Sequence, residues 1–133
     1  MATLKKVDHI GIMVRDLDQA IENFSAIGLN VSKRVVASKF NSEIAFLPCG
    51  DLTIELVMPI GPGNGQNWLK EHGDGLHHIC FDVDDLSAAH EKIAKTVGVR
   101  EDGIKTGAEG KDVFFAKKEN INNVLVEITT INS

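Results

Sequence analysis

The chain states one pattern twice. Residues 7–20, Val-Asp-His-Ile-Gly-Ile-Met-Val-Arg-Asp-Leu-Asp-Gln-Ala, align without a gap on residues 76–89, Leu-His-His-Ile-Cys-Phe-Asp-Val-Asp-Asp-Leu-Ser-Ala-Ala. The offset is 69 residues and pairs His9 with His78. Residues 53–57, Thr-Ile-Glu-Leu-Val, match residues 125–129, Leu-Val-Glu-Ile-Thr, at an offset of 72. That second match pairs Glu55 with Glu127 and gives the later half three extra loop residues. A duplication limits the fold to two like modules, each burying one apolar face. Each half owns one strand-borne His and one strand-borne Glu at equivalent places. A pseudo-two-fold would pool the four.

Local periodicity names the elements of each module. From Val7 to Val14, Ile10, Ile12 and Val14 point one way and His9, Gly11 and Met13 the other, which is a strand with one face on a core. Asp16 stands at an N-cap position with Gln19 three residues on. Leu17, Ala20, Ile21 and Phe24 then form a helical stripe, and Gly28 stops it. Residues 30–37, 42–48 and 52–58 read as strands divided by turn residues. The proline- and glycine-rich stretch Pro59–Gly65 reads as an irregular connector, followed by a short helix from Gln66 to His72 anchored by Trp68 and Leu69. The second module repeats the plan, with a strand over 76–83 and a helix over 85–97 carrying Leu86, Ala89, Ile93 and Val97 inward. Its remaining strands are expected near 99–104, 111–117 and 123–131, with a mobile loop within 101–110. The expected organisation is a single domain of two βαβββ modules, 5–60 and 76–131, joined by residues 61–75.

Composition narrows the function. At 133 residues, 43% apolar and 25% charged, the chain is of globular type and long enough to fold without staples. A net charge of −5 argues against nucleic-acid or anionic-membrane partners, and an anionic substrate would need local Lys or Arg. No apolar run approaches the roughly 20 residues of a membrane span. Residues 1–6 lead straight into a strand pattern with no signal-peptide core. Cys49 and Cys80, with no metal-type spacing, read as reduced thiols. A cytoplasmic location is the expectation.

Strand parity supports a chelate. His9 lies opposite the helix-packing Ile10 and Ile12, and His78 lies with Cys80 and Asp82, opposite Ile79, Phe81 and Val83. Glu55 faces away from Ile54 and Leu56, and Glu127 away from Val126 and Ile128. All four thus belong to the sheet face that does not pack on helices. Carboxylates buried there are costly unless paired or coordinated. Two imidazoles with two carboxylates suit one divalent ion such as zinc, cobalt, nickel, manganese or iron(II), with room for Lewis-acid chemistry. Glu43 is a fifth candidate, sharing a face with Ala45 and Leu47 and matched by Asp112 in the second half; it reads either as a strand-end carboxylate or as a general base. His77, His72 and His90 read as non-ligands, Cys80 as a buried thiol, and residues 117–119 as a solvated turn.

These residues carry a resemblance. The run Val-Asp-His-Ile-Gly-Ile, the run Gly-Leu-His-His-Ile-Cys-Phe-Asp-Val-Asp-Asp-Leu at 75–86, and Val-Leu-Val-Glu-Ile at 124–128 resemble the vicinal oxygen chelate superfamily of glyoxalases, bleomycin resistance proteins and dioxygenases. Within it, the chain is most similar to the methylmalonyl-CoA epimerases. The resemblance implies an α+β fold in which two tandem βαβββ modules form a curved mixed sheet around a metal site. It implies metal ligation by His9, Glu55, His78 and Glu127, acid/base roles for Glu43 and Glu127, an acyl-CoA substrate and a homodimer. The implied reaction is a 1,1-proton transfer through an enolate. The chain departs from that family's pattern at residues 117–123, at Glu109 and in the connector at 64–67. A glyoxalase I-like lyase acting on a glutathione hemithioacetal is the alternative, but the Arg typical of that enzyme four residues after the first ligand His is Met13 here. A non-catalytic binding module would generally lack the full ligand set, and an iron(II) dioxygenase would use two His and one Glu.

Overall fold

The computed structural model describes residues 3–107 and 110–130. It resolves into two compact units, residues 9–77 and residues 1–8 with 78–133.

The first unit shows why the duplicated pattern folds as it does. Strand β1 (Lys6–Met13) leads into helix α1 (Leu17–Ala26). Asp16 caps the helix by accepting a 3.0 Å hydrogen bond from the Gln19 amide, satisfying one of the orphan donors of the first turn. The helix ends where the Gly28 and Leu29 amides turn back to the Ser25 and Phe24 carbonyls. Gly28 holds φ +96° there, a left-handed cap that a Cβ would strain. Strands β2 (Lys33–Ala37), β3 (Ser42–Cys49) and β4 (Leu52–Pro59) follow. β2 and β4 flank β3 antiparallel, and β4 pairs parallel with β1, giving the order β2-β3-β4-β1. Ala45, Leu47 and Leu56 meet Leu17, Ala20 and Val14 in the core, with Ile21, Phe24 and Ile54 packed around them. Leu47 and Leu56 are fully buried, so Leu→Ala at either would cost about 2–5 kcal/mol.

Helix α2 (Asn64–His72) begins two residues earlier than the connector's composition suggested and takes in Gly65. Its side-chain anchor is Leu69, whose carbonyl accepts from the Arg15 guanidinium. Tertiary packing overrides the weak local propensity here.

The second unit repeats the arrangement. Strand β5 (Gly75–Val83) precedes helix α3 (Leu86–Lys95), which Asp85 caps through the Ala88 amide at 3.0 Å. Strands β6 (Lys105–Thr106), β7 (Asp112–Phe115) and β8 (Val126–Thr130) complete it. β8 pairs parallel with β5 and antiparallel with β7, which pairs antiparallel with β6, so the order is β5-β8-β7-β6. Val83, Ala89, Phe114 and Ile128 form its core, with Leu86, Ile93 and Val97 against them as the helical stripe required.

The strand expected at 99–104 is not one. Val99 makes a lone bridge to Ala116, and the chain then turns at Arg100–Gly103, where Gly103 has φ +64° and its amide returns to the Arg100 carbonyl. A two-residue strand forms only at 105–106, inside the stretch expected to be a loop. Ala108, Glu109 and Ile131 lie outside the described residues. Lys118–Asn120 form an exposed 3₁₀ turn. Among the described residues no helix is long and apolar enough to cross a membrane.

Candidate functional site

Each unit brings its His and its Glu together. On β1, His9 is 7% exposed and precedes Gly11, which opposes Glu55 across the parallel β1–β4 ladder. Gly11 presents no side chain, and His9 Nδ1 lies 3.1 Å from Glu55 Oε2. On β5, His78 precedes Cys80, which opposes Glu127 across the parallel β5–β8 ladder. There the small thiol of Cys80 is fully buried, and His78 Nε2 lies 3.5 Å from Glu127 Oε1. Both carboxylates are 7% exposed.

The cause is topological. A parallel pairing of the first and last strands of a βαβββ module sets residues two apart on one strand beside a single residue of the other, on the same face. The apolar partners Ile54, Leu56, Val126 and Ile128 take the opposite face, toward the helices. Burying a carboxylate on the polar face is unfavourable without a cation or donor. In each unit an imidazole lies beside the carboxylate, and imidazole is also a good ligand for a borderline divalent ion. The donors present, imidazole nitrogen and carboxylate oxygen, therefore fit a metal of the zinc, cobalt, nickel or manganese kind.

Glu43 sits differently. On β3 it opposes Met58 and Val36, on the face of Ala45 and Leu47 that packs toward α1. Glu55 opposes Phe46 and so occupies the reverse face of the same ladder. The Glu43 side chain is 26% exposed and accepts from Arg34 Nε at 3.0 Å, while Arg34 Nη1 donates to Asp18 Oδ1 at 2.6 Å. The Asp18 and then the Glu43 hydrogen bonds hold the guanidinium above its ordinary pKa. Its counterpart Asp112 is exposed and accepts from Thr106 Oγ1.

The remaining candidates fall as expected or add detail. His90 is half-buried edge-on to Phe114, with ring centroids 5.0 Å apart. His72 is exposed but stacks on Trp68, and His77 meets the same indole edge-on. Sequence reasoning missed two aromatic residues that accompany the glutamates. Phe46 opposes Glu55 and Phe115 opposes Glu127. They are separated by the 69 residues that separate His9 from His78, so the same alignment offset could have found them.

Comparison with known proteins agrees with this geometry. The profile of the Glyoxalase/Bleomycin resistance protein/Dioxygenase superfamily matches residues 8–115. The human protein named methylmalonyl-CoA epimerase, mitochondrial, is 32% identical over 129 residues, covering 94% of this chain and 73% of its own. An ethylmalonyl-CoA/methylmalonyl-CoA epimerase of Cereibacter sphaeroides is 30% identical over 132 residues, covering 95% and 98%. A solved methylmalonyl-CoA epimerase in complex with methylmalonyl-CoA and NH4+ superimposes with a TM-score of 0.89 at 29% identity, over 98% of this chain and 97% of that one. The chain is a member of the Glyoxalase/Bleomycin resistance protein/Dioxygenase superfamily.

Proposed function

We propose that the protein is a metal-dependent epimerase of methylmalonyl-CoA that inverts the α-carbon by 1,1-proton transfer. The observation that carries the reading is the pair of buried His–Glu couples at repeat-equivalent positions, in a chain about 30% identical to proteins bearing that name. In this reading His9, Glu55, His78 and Glu127 hold one divalent ion. The bound ion would supply Lewis-acid stabilisation of the negative charge that develops when the α-proton leaves, worth several kcal/mol.

The chain's own residues then move the proton. A carboxylate on one side of a planar enolate returns a proton only to the side it took it from. Inversion therefore needs two acid/base groups on opposite sides. Glu127 is one. Glu43 is assigned as the second. That role is what the family resemblance implies; its carboxylate is held by Arg34 on the α1 side of β3, the face of the ladder opposite Glu55, so the exchange experiment below is its test. A homodimer belongs to the same reading.

The test is deuterium exchange into the α-position of methylmalonyl-CoA in D2O. The wild type is expected to wash in label, to stop on chelation and to resume on adding cobalt or manganese. Glu43→Gln should lower racemisation at least about a hundredfold with metal content unchanged, the scale of a lost general base. A loss under about threefold would remove Glu43 from the mechanism. Wild-type turnover of a methylglyoxal–glutathione adduct without α-exchange would replace the epimerase reading itself.

A further inference from the structure

Both units carry a cation, an aromatic ring and a ligand-candidate glutamate in one row across the strands. In the first, Lys33 on β2 opposes Phe46, Phe46 opposes Glu55, and Lys33 Nζ lies 5.1 Å from the Phe46 ring centroid. In the second, the Arg100 amide donates to the Phe115 carbonyl at 2.8 Å, and Phe115 opposes Glu127. The Arg100 guanidinium carbon lies 4.0 Å from the Phe115 centroid, a close cation–π contact. The Phe115 ring meets the His78 ring edge-on, 6.2 Å between centroids. Arg100 is therefore one ring away from the buried His78–Glu127 couple, on the same face.

The guanidinium is held in a defined pose. Asp102 accepts from its Nε at 2.8 Å and its Nη2 at 2.6 Å. Lys105 Nζ lies 3.4 Å from the same carboxylate, so Asp102 meets both cations. The Arg100 side chain is 33% exposed, and among the described residues Nη1 donates to no protein acceptor. A planar fork braced on one edge, with its other edge open, matches a carboxylate or phosphate oxygen pair. The chain's net charge of −5 and its buried glutamates repel an anionic substrate, so such a group needs a local cation.

We propose that Arg100 binds an anionic oxygen group of the acyl-CoA, the α-carboxylate of the 2-carboxyacyl moiety or a phosphate of the coenzyme. This rests on the epimerase reading above. It assigns substrate recognition to the second module's cation row, with Phe115 and Asp102 as the positioning residues.

Steady-state kinetics on Arg100→Gln and Arg100→Lys, with competition by malonyl-CoA and propionyl-CoA, test it. R100Q is expected to raise KM for methylmalonyl-CoA about tenfold or more with kcat within about threefold, as loss of uniform binding does. R100K should fall between. A weakened malonyl-CoA Ki with an unchanged propionyl-CoA Ki identifies the carboxylate; equal weakening of both identifies a coenzyme phosphate. Unchanged KM and Ki values in R100Q of wild-type melting temperature overturn the proposal. Should R100Q not fold, R100K decides by the same criterion. An inactive wild type would count against the epimerase reading alone, because calorimetric malonyl-CoA binding to wild type and R100Q still settles the role of Arg100.

Discussion

At the scale of single residues, electrostatic cost explains which groups stand together. Glu55 and Glu127 are buried, and each has an imidazole within 3.5 Å or less. At Asp102, the hydrogen bonds from Arg100, and then the charges of Arg100 and Lys105, outweigh partial burial and hold the carboxyl pKa below the ordinary 3.8. A carboxylate depressed in the folded state stabilises the fold fully above its unfolded pKa. That contribution is lost as pH falls through the folded value, where the proton returns. The deficit of Asp102→Asn should therefore be present at pH 7, about 1 kcal/mol for a partly exposed pair, and shrink toward zero below about pH 4. Melting temperatures of both proteins across that range check it; a deficit independent of pH would mean that shape, not charge, matters at this turn.

At the scale of elements, helices α1 and α3 are the parts most legible in the chain. Each begins with an Asp whose side chain caps the third amide onward, and each carries its apolar residues at helical spacing. Those signals are local, so they survive without knowledge of the fold. Replacing Asp16 or Asp85 by Ala should each cost about 1 kcal/mol in urea titration with an unchanged m-value. The strand expected at 99–104 was not legible for the converse reason. Val99 and Ile104 suit a strand, yet the Arg100–Asp102 fork and the turn at Gly103 divide them. α2 likewise starts in a glycine-containing stretch because Leu69 finds a buried berth.

At the scale of the whole molecule, the proposed ion links chemistry to stability. A ligand bound only by the native state stabilises it by RT ln(1 + [L]/Kd), about 2.7 kcal/mol at a hundredfold excess over Kd. Dialysis against chelator should thus lower the melting temperature by several degrees, with recovery on adding cobalt or manganese. His78→Ala should melt near the chelated wild type and ignore the chelator. A wild-type melting temperature indifferent to chelation would sink the four-ligand assignment without touching the fold.

The repeat, the βαβββ order of each half, the helix caps and the face borne by His9, Glu55, His78 and Glu127 were all determined by the amino-acid sequence, because alternation and helical spacing act over a few residues. Which strands pair, and in what register, was decided by tertiary structure. Only the β3–β4 ladder shows that Glu43 and Glu55 take opposite faces, and only the approach of residue 100 to β7 seats Arg100 on Phe115. Such pairings join residues distant in the chain, and their energy comes from packing and from charges that meet only after the chain has folded.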